Sequence, residues 1–382
     1  EESKSNHFIS CYICRRHHDA GWNWADSIEK SEWNNHQIAQ FLSYLPFEKE
    51  TWDKAEKWLG DSVDIYWKTV PANLYNTDEN LELAVEQLLK YERPVAAIDC
   101  LSWMKYKQQP INVKYIVRAL LGAISSEENE DTSSTNDKLE LIQVLQNSPD
   151  ITDDDLFRVE WAYLRLLDGH CSSVRPKYLT NKLASDPAFF CEVIQLAFGS
   201  KHEDKKHRKS LTKDQQIIAT QAWHLLREWT VLPGENNAGE FSPEQFQCWL
   251  DKVIFITTES GHLEIALSTI GQVLIYSPSD NDGLWIHHTI AETINRKEME
   301  YMREGYQRAT YNARGVYRID PSGKPELELA DKYRKKADII ENAGYQRLAE
   351  TLREISDYYI RNSRTVIEDY RRDTEEDHYN SN

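Results

Sequence analysis

The chain has no uninterrupted apolar run of about eighteen residues, so no part of its 382 residues reads as a membrane-spanning helix. No basic-then-apolar leader is recognisable either, and the expected location is cytoplasmic. Cysteine is sparse. Six in this length cannot frame a disulfide-stapled fold, and Cys100, Cys171, Cys191 and Cys248 stand alone in helical or loop patterns, where cysteine acts as a small apolar residue. Positive charge is outnumbered, with 45 Lys and Arg against 63 Asp and Glu, and the net charge of −18 repels free nucleic acid and anionic membranes from the surface as a whole. Also missing are a P-loop, a Gly-x-Ser-x-Gly elbow, a dinucleotide glycine fingerprint and His-Glu-x-x-His, so the expectation is a chain that is not an enzyme and needs no cofactor. Its first residue is Glu1 rather than methionine, as expected of an internal or C-terminal piece of a longer polypeptide.

What is present is helical patterning, and 40% apolar residues suffice for a continuous core. Six of the twelve tryptophans (Trp22, Trp24, Trp33, Trp52, Trp58, Trp67) fall within residues 1–70, a density suited to helices packed through large rings. Next, Leu81, Ala84, Val85, Leu88 and Leu89 share one helical face, and Arg93-Pro94 opens another helix with proline in its first turn, where the missing N–H is harmless. A third helix follows Pro110. Residues 125–137 contain no apolar side chain and are expected to form a mobile loop. Thr152 with Asp155 resembles a capping box ahead of a stripe of Phe157, Trp161, Leu164 and Leu167. Thr212 with Gln215 fits a capping box ahead of Ile218, Ala222, Leu225, Leu226 and Trp229. Ser242-Pro243-Glu244-Gln245 combines an N-cap, a first-turn proline and a capping glutamine. Helices are then expected from Gly283 to Asn295 and from Lys297 to Asn312. The one β-like run is Gly315-Val316-Tyr317-Arg318-Ile319, ending in an Asp320-Pro321-Ser322-Gly323 type I turn. Last come two long helices, one carrying Leu329, Tyr333, Ala337 and Ile340 and the other Leu348, Leu352, Ile355 and Tyr359. They are separated at Asn342-Ala343-Gly344, where glycine turns the chain back.

This patterning predicts an all-α chain of roughly fourteen helices, a right-handed α-solenoid of degenerate helical hairpins (TPR/HEAT-like) with one short β-like connector at 315–323. The expected divisions are a Trp-rich helical part at 1–70 that continues from a missing upstream region, a helical-repeat array at 71–232, and a second array with its closing hairpin at 233–382.

Few residues suggest chemistry. Cys11-Tyr12-Ile13-Cys14 followed by His17 and His18 has half of a zinc site, since two thiolates two residues apart can chelate one side of a tetrahedral ion; no second half follows, which favours a coincidence on a helix. His288 and Glu292, four apart with His287 alongside, suit a metal-dependent or acid–base enzyme, or else a hydrogen-bonded surface pair. Lys201, Lys205, Lys206, Arg208 and Lys209 form a basic run broken by Glu203 and Asp204, either a partner-binding loop or a solvated one. Arg314, Tyr317 and Arg318 surround Gly315 in a segment suited to contact with another surface, or to a rigid connector packed through its tyrosines.

Certain phrases of the C-terminal third carry a resemblance: Gly261-His-Leu-Glu-Ile-Ala-Leu, Asp282-Gly-Leu-Trp-Ile-His, Asn312-Ala-Arg-Gly-Val-Tyr, Asp320-Pro-Ser-Gly-Lys-Pro-Glu-Leu-Glu-Leu-Ala and Glu341-Asn-Ala-Gly-Tyr-Gln-Arg-Leu-Ala, with Val70-Pro71 and Arg93-Pro94-Val-Ala-Ala-Ile earlier. Together they resemble the C-terminal helical sensor region of large bacterial multidomain antiviral defence proteins of the signal-transducing NTPase type. The resemblance implies a non-catalytic recognition and oligomer-control region. Its partner would be a viral protein or upstream domains of the same polypeptide, with homo-oligomers allowed. The other functional readings are a free-standing helical-repeat scaffold for cellular proteins and a metal-dependent enzyme built on His288 and Glu292.

Overall fold

The computed structural model describes residues 2–74, 80–128, 133–167, 174–202, 212–236, 239–315 and 318–380, without the side chains of residues 2–7, 133–134 and 373–380. Among these residues every regular element is a helix and the only β-type pairing is a single bridge between Glu235 and Phe241. The chain divides into two compact units, Glu1–Tyr178 and Leu179–Asn382.

The first unit holds α1 (Glu2–Ser27), α2 (Asn35–Ser43), α3 (Lys49–Leu59), α4 (Asp64–Thr69), α5 (Glu82–Lys90), α6 (Pro94–Tyr106), α7 (Val113–Ala123), α8 (Ser133–Gln146) and α9 (Asp153–Ala162); α10 (Lys177–Ser185) begins at its end. Helix α1 breaks at Gly21, whose φ of 59° and ψ of −157° are open essentially only to glycine. The tryptophans pack as their density predicts. Trp52, Trp67 and Phe47 meet with ring centroids 5.2–6.4 Å apart, and Trp22, Trp33 and Trp58 close around Phe41 and one another. Sequential helices then pack pairwise, α5 on α6 and α6 on α7, through fully buried Leu81, Leu88, Ile98, Ile116 and Leu120.

Two expectations fail here. The apolar-free stretch 125–137 is not one loop: residues 133–137 are the first turns of α8, because extending a helix already nucleated by buried Leu141, Ile142 and Leu145 costs little per residue. Glu128 is held too, its carboxylate accepting from the Val95 N–H at 2.8 Å and pairing with the Arg93 guanidinium. The buried face of α9 is Leu156, Val159 and Glu160, while Phe157 and Trp161 stack on each other half-exposed at its side; of the expected stripe Leu164 and Leu167, just past the helix end, are the buried members. Asp155 is one methylene too short to close a capping box, and its carboxylate takes the Thr152 hydroxyl at 2.9 Å instead of the backbone.

The second unit contains α11 (Pro187–Ala197), α12 (Lys213–Glu228), α13 (Pro243–Ser260), α14 (Leu263–Val273), α15 (His288–Asn295), α16 (Glu300–Asn312), α17 (Lys324–Asn342) and α18 (Gln346–Asn380). Their starts follow the caps: Asp186 accepts from Ala188 and Phe189, Ser242 accepts from Gln245, and Thr212 with Gln215 forms the full reciprocal box. Helix α14 crosses α16 through glycines. A Cβ on Gly305 would sit 1.9 Å from the Ser268 carbonyl oxygen, and one on Gly271 2.0 Å from that of Met302. Between α17 and α18 the chain reverses at Gly344 (φ 93°), and the Tyr345 N–H reaches back to the Ile340 carbonyl at 3.1 Å. Ile340, Leu348, Leu352 and Ile355 are fully buried in this hairpin, and Tyr333 stacks on Tyr359 at 5.8 Å.

The turn at Asp320–Gly323 closes as expected, the Gly323 N–H donating to the Asp320 carbonyl at 3.0 Å. The β-like connector before it does not form a strand among its described residues, because Arg318 and Ile319 find no neighbouring strand to pair with; Val316 and Tyr317 lie outside the described residues. The helix expected from Gly283 starts only at His288. The reason is competition: Asp282 takes the Leu284 N–H at 3.0 Å and Asp280 the His288 N–H at 2.9 Å, so side chains hold the amides that a helix would have used.

Candidate functional site

The densest polar constellation lies where the segment before α15 meets the α17–α18 turn. His287 caps α15, its Nδ1 accepting from the Thr289 N–H at 3.2 Å, and its ring meets Phe241 edge-on. His288 lies between two partners: Nε2 is 2.8 Å from Asp282 Oδ2 and Nδ1 is 2.9 Å from the Tyr345 hydroxyl. A carboxylate only accepts, so Nε2 carries a proton and donates, and in a neutral ring Nδ1 then accepts from Tyr345. The order Asp282–His288–Tyr345 is that of a nucleophile with its base and orienting acid. Burial, then Glu292, Asp280 and Asp282, raise the Tyr345 phenol above its ordinary range and keep it protonated at rest. The His288 side chain at Asp282 and the His288 amide at Asp280 hold those two carboxyls below theirs. The constellation ties the segment before α15 to the α17–α18 turn.

Both ring nitrogens of His288 are taken, and Glu292 is exposed and bonds to neither histidine. Among the described residues no group of three or more His, Cys, Asp and Glu is arranged to hold a metal ion. On α1, the Cys14 thiol donates to the Tyr44 carbonyl at 3.0 Å, His17 meets Trp22 edge-on at 5.0 Å, and His18 bonds Asp19 at 3.2 Å, so these side chains diverge instead of converging with Cys11. Burial raises the Cys100 thiol and pushes Cys191 up to about 12, so both stay protonated.

The segment singled out at 311–318 is split by the fold. Arg314 turns inward: its guanidinium lies 2.6 Å from Glu326, a carboxylate with no exposed surface, and 5.9 Å from the centroid of Tyr359. Arg318 faces solvent, and Tyr317 lies outside the described residues. So do Lys205, Lys206 and Arg208; of their run, Lys201 pairs with Glu264 and its amide bonds the Gly261 carbonyl at 3.1 Å.

The fold also leaves in solvent a set of large apolar side chains that the sequence pattern does not single out. Helices α12 and α13 both pack on α11. No residue from Lys213 to Thr220 of α12 is buried, and Ile217 is 57% exposed, with Trp223 further along at 43%. On α13, Phe255 is 64% exposed. A signal existed for Phe255. The buried α13 positions Phe246, Leu250, Val253 and Thr257 keep helical spacing, and residue 255 falls opposite them. Compared with known protein families, curated proteins and solved structures, the chain matches none of them.

Proposed function

We propose that this chain is a non-catalytic recognition region, an α-solenoid of degenerate helical hairpins that belongs to a larger bacterial antiviral defence protein and binds a viral protein or upstream domains of its own polypeptide. The observation that carries the recognition role is the apolar set Ile217, Trp223 and Phe255, held out on two helices that share α11 as their support. Exposed aromatic and aliphatic side chains of this size favour a protein partner, because burying them against one gains about 25 cal/mol per Å² of apolar surface. The antiviral setting is supported by the resemblance of the Asp282–His287, Asn312–Tyr317 and Glu341–Ala349 phrases to defence sensors. Arg318, exposed to solvent, remains open to a partner, whereas Arg314 serves the fold. Phage challenge of bacteria that carry the complete reading frame tests the proposal: Ile217→Asp with Phe255→Asp abolishes protection while the purified variant melts as the parent does. Protection unaffected by the double substitution contradicts it.

A further inference from the structure

We propose that Lys336 and Lys332 on α17, together with the Trp285 indole, form a binding site for a doubly charged phosphate-type oxyanion. The Lys336 ammonium stands 3.7 Å from the centroid of the Trp285 ring, half-buried, and no carboxylate or other acceptor meets it among the described residues. An indole face receives one N–H of an ammonium and leaves the others to find acceptors elsewhere. A cation withdrawn from water without a counter-charge is costly, and here the neighbouring charge is of the same sign. Burial first, and then Lys332 one turn earlier, push the Lys336 amine down to about 8. The adjacent Lys335 shows the ordinary arrangement, its ammonium 2.7 Å from Asp331. The Trp285 indole, itself partly buried, screens the Lys336 ammonium on one side and leaves its other N–H groups to face a ligand.

Two ammonium groups on successive turns of α17 suit a dianion; a single carboxylate would leave one ammonium without a counter-charge. The rest of a surface of net charge −18 discourages anions, so binding has to come from this local group. With Lys336 lying over the indole face, a nucleobase has no ring to stack on, and the phosphate alone is recognised.

A bound dianion favours the charged amine, so affinity follows the protonated fraction of Lys336 and falls about tenfold between pH 7 and pH 9. Isothermal titration of the full chain with sulfate, whose own charge is constant over this range, reads that dependence. The expected result is saturable binding that weakens about tenfold from pH 7 to 9 and at least tenfold in Lys336→Gln. It persists without pH dependence in Lys336→Arg and is unchanged in Lys335→Gln. Thermal melts of the same variants separate loss of the site from loss of fold, and Lys336→Arg keeps the test decisive should Lys336→Gln fail to fold. Inorganic phosphate and adenosine monophosphate in the same titration distinguish the sources: equal affinity assigns the free anion or any phosphate group, tighter binding of the nucleotide assigns that ligand. Sulfate binding undiminished in Lys336→Gln, or diminished equally in Lys335→Gln as by a diffuse field, overturns the site.

Discussion

Arg314 and Arg318 lie four residues apart and read alike in sequence, yet the fold gives them opposite roles. Arg314 neutralises Glu326, which is wholly buried, so removing the guanidinium leaves a charge with nowhere to go. Arg314→Ala is therefore expected to cost about 3–5 kcal/mol of stability, measured by denaturant unfolding, and Arg318→Ala to stay within about 0.5 kcal/mol of the parent. The difference was not legible, because Glu326 sits in the next helix and no local spacing pairs it with Arg314. The tie at His288 was half legible. Its histidine was visible as chemistry, but Asp282 and Tyr345 come from a loop and from a turn 57 residues downstream. Asp280 and Asp282 have folded pKa values below their unfolded ones, so the folded state binds fewer protons there and stability rises with pH through their range. Their contribution is complete above the ordinary aspartate range near 4 and is lost as pH falls below it. Unfolding followed by circular dichroism from neutral to acid pH should show this loss, with a shallower slope in Asp280→Asn; an identical slope would remove the tie from acid stability.

At the scale of the element, what the sequence disclosed best was where helices begin and turn. Ser242-Pro243, Asp186-Pro187, Thr212 with Gln215 and Gly344 each satisfy backbone groups within a few residues, and such local chemistry is visible without the fold. What it disclosed least was where polar segments stop being loops. Helix α8 runs back into a stretch without apolar residues because its core anchors lie further on, and the Gly283–His287 segment is kept from helix by two aspartates. Helix crossings were equally hidden. Gly271 and Gly305 look like ordinary helix-weakening glycines, yet each touches the backbone of the opposite helix, which cannot move aside as a side chain can. Gly305→Ala is expected to lose on the order of 1–3 kcal/mol or more, although alanine is the better helix former; a gain in melting temperature would mean that α14 and α16 are not in contact. In the closing hairpin Leu352→Ala should cost about 2–5 kcal/mol, and a smaller loss would show that the α17–α18 seam can collapse around the missing atoms.

For the whole molecule, composition and periodicity were enough to reach an all-α chain, since a core of buried Leu, Ile and Trp at helical spacing leaves few alternatives. They were not enough to say which apolar residues the core would leave out. Ile218 was placed on the buried face of α12 because it keeps the spacing of Ala222 and Leu225, yet it is partly exposed and the buried face begins only at Ala222. The recognition role turns on whether Ile217, Trp223 and Phe255 meet a partner. Hydrogen exchange followed by mass spectrometry, comparing this chain alone with the same residues inside the longer polypeptide proposed above, measures it most directly. Added protection is expected across residues 213–223 and around Phe255. Unchanged exchange at both places, with protection gained only around Arg318 or not at all, would contradict the recognition role.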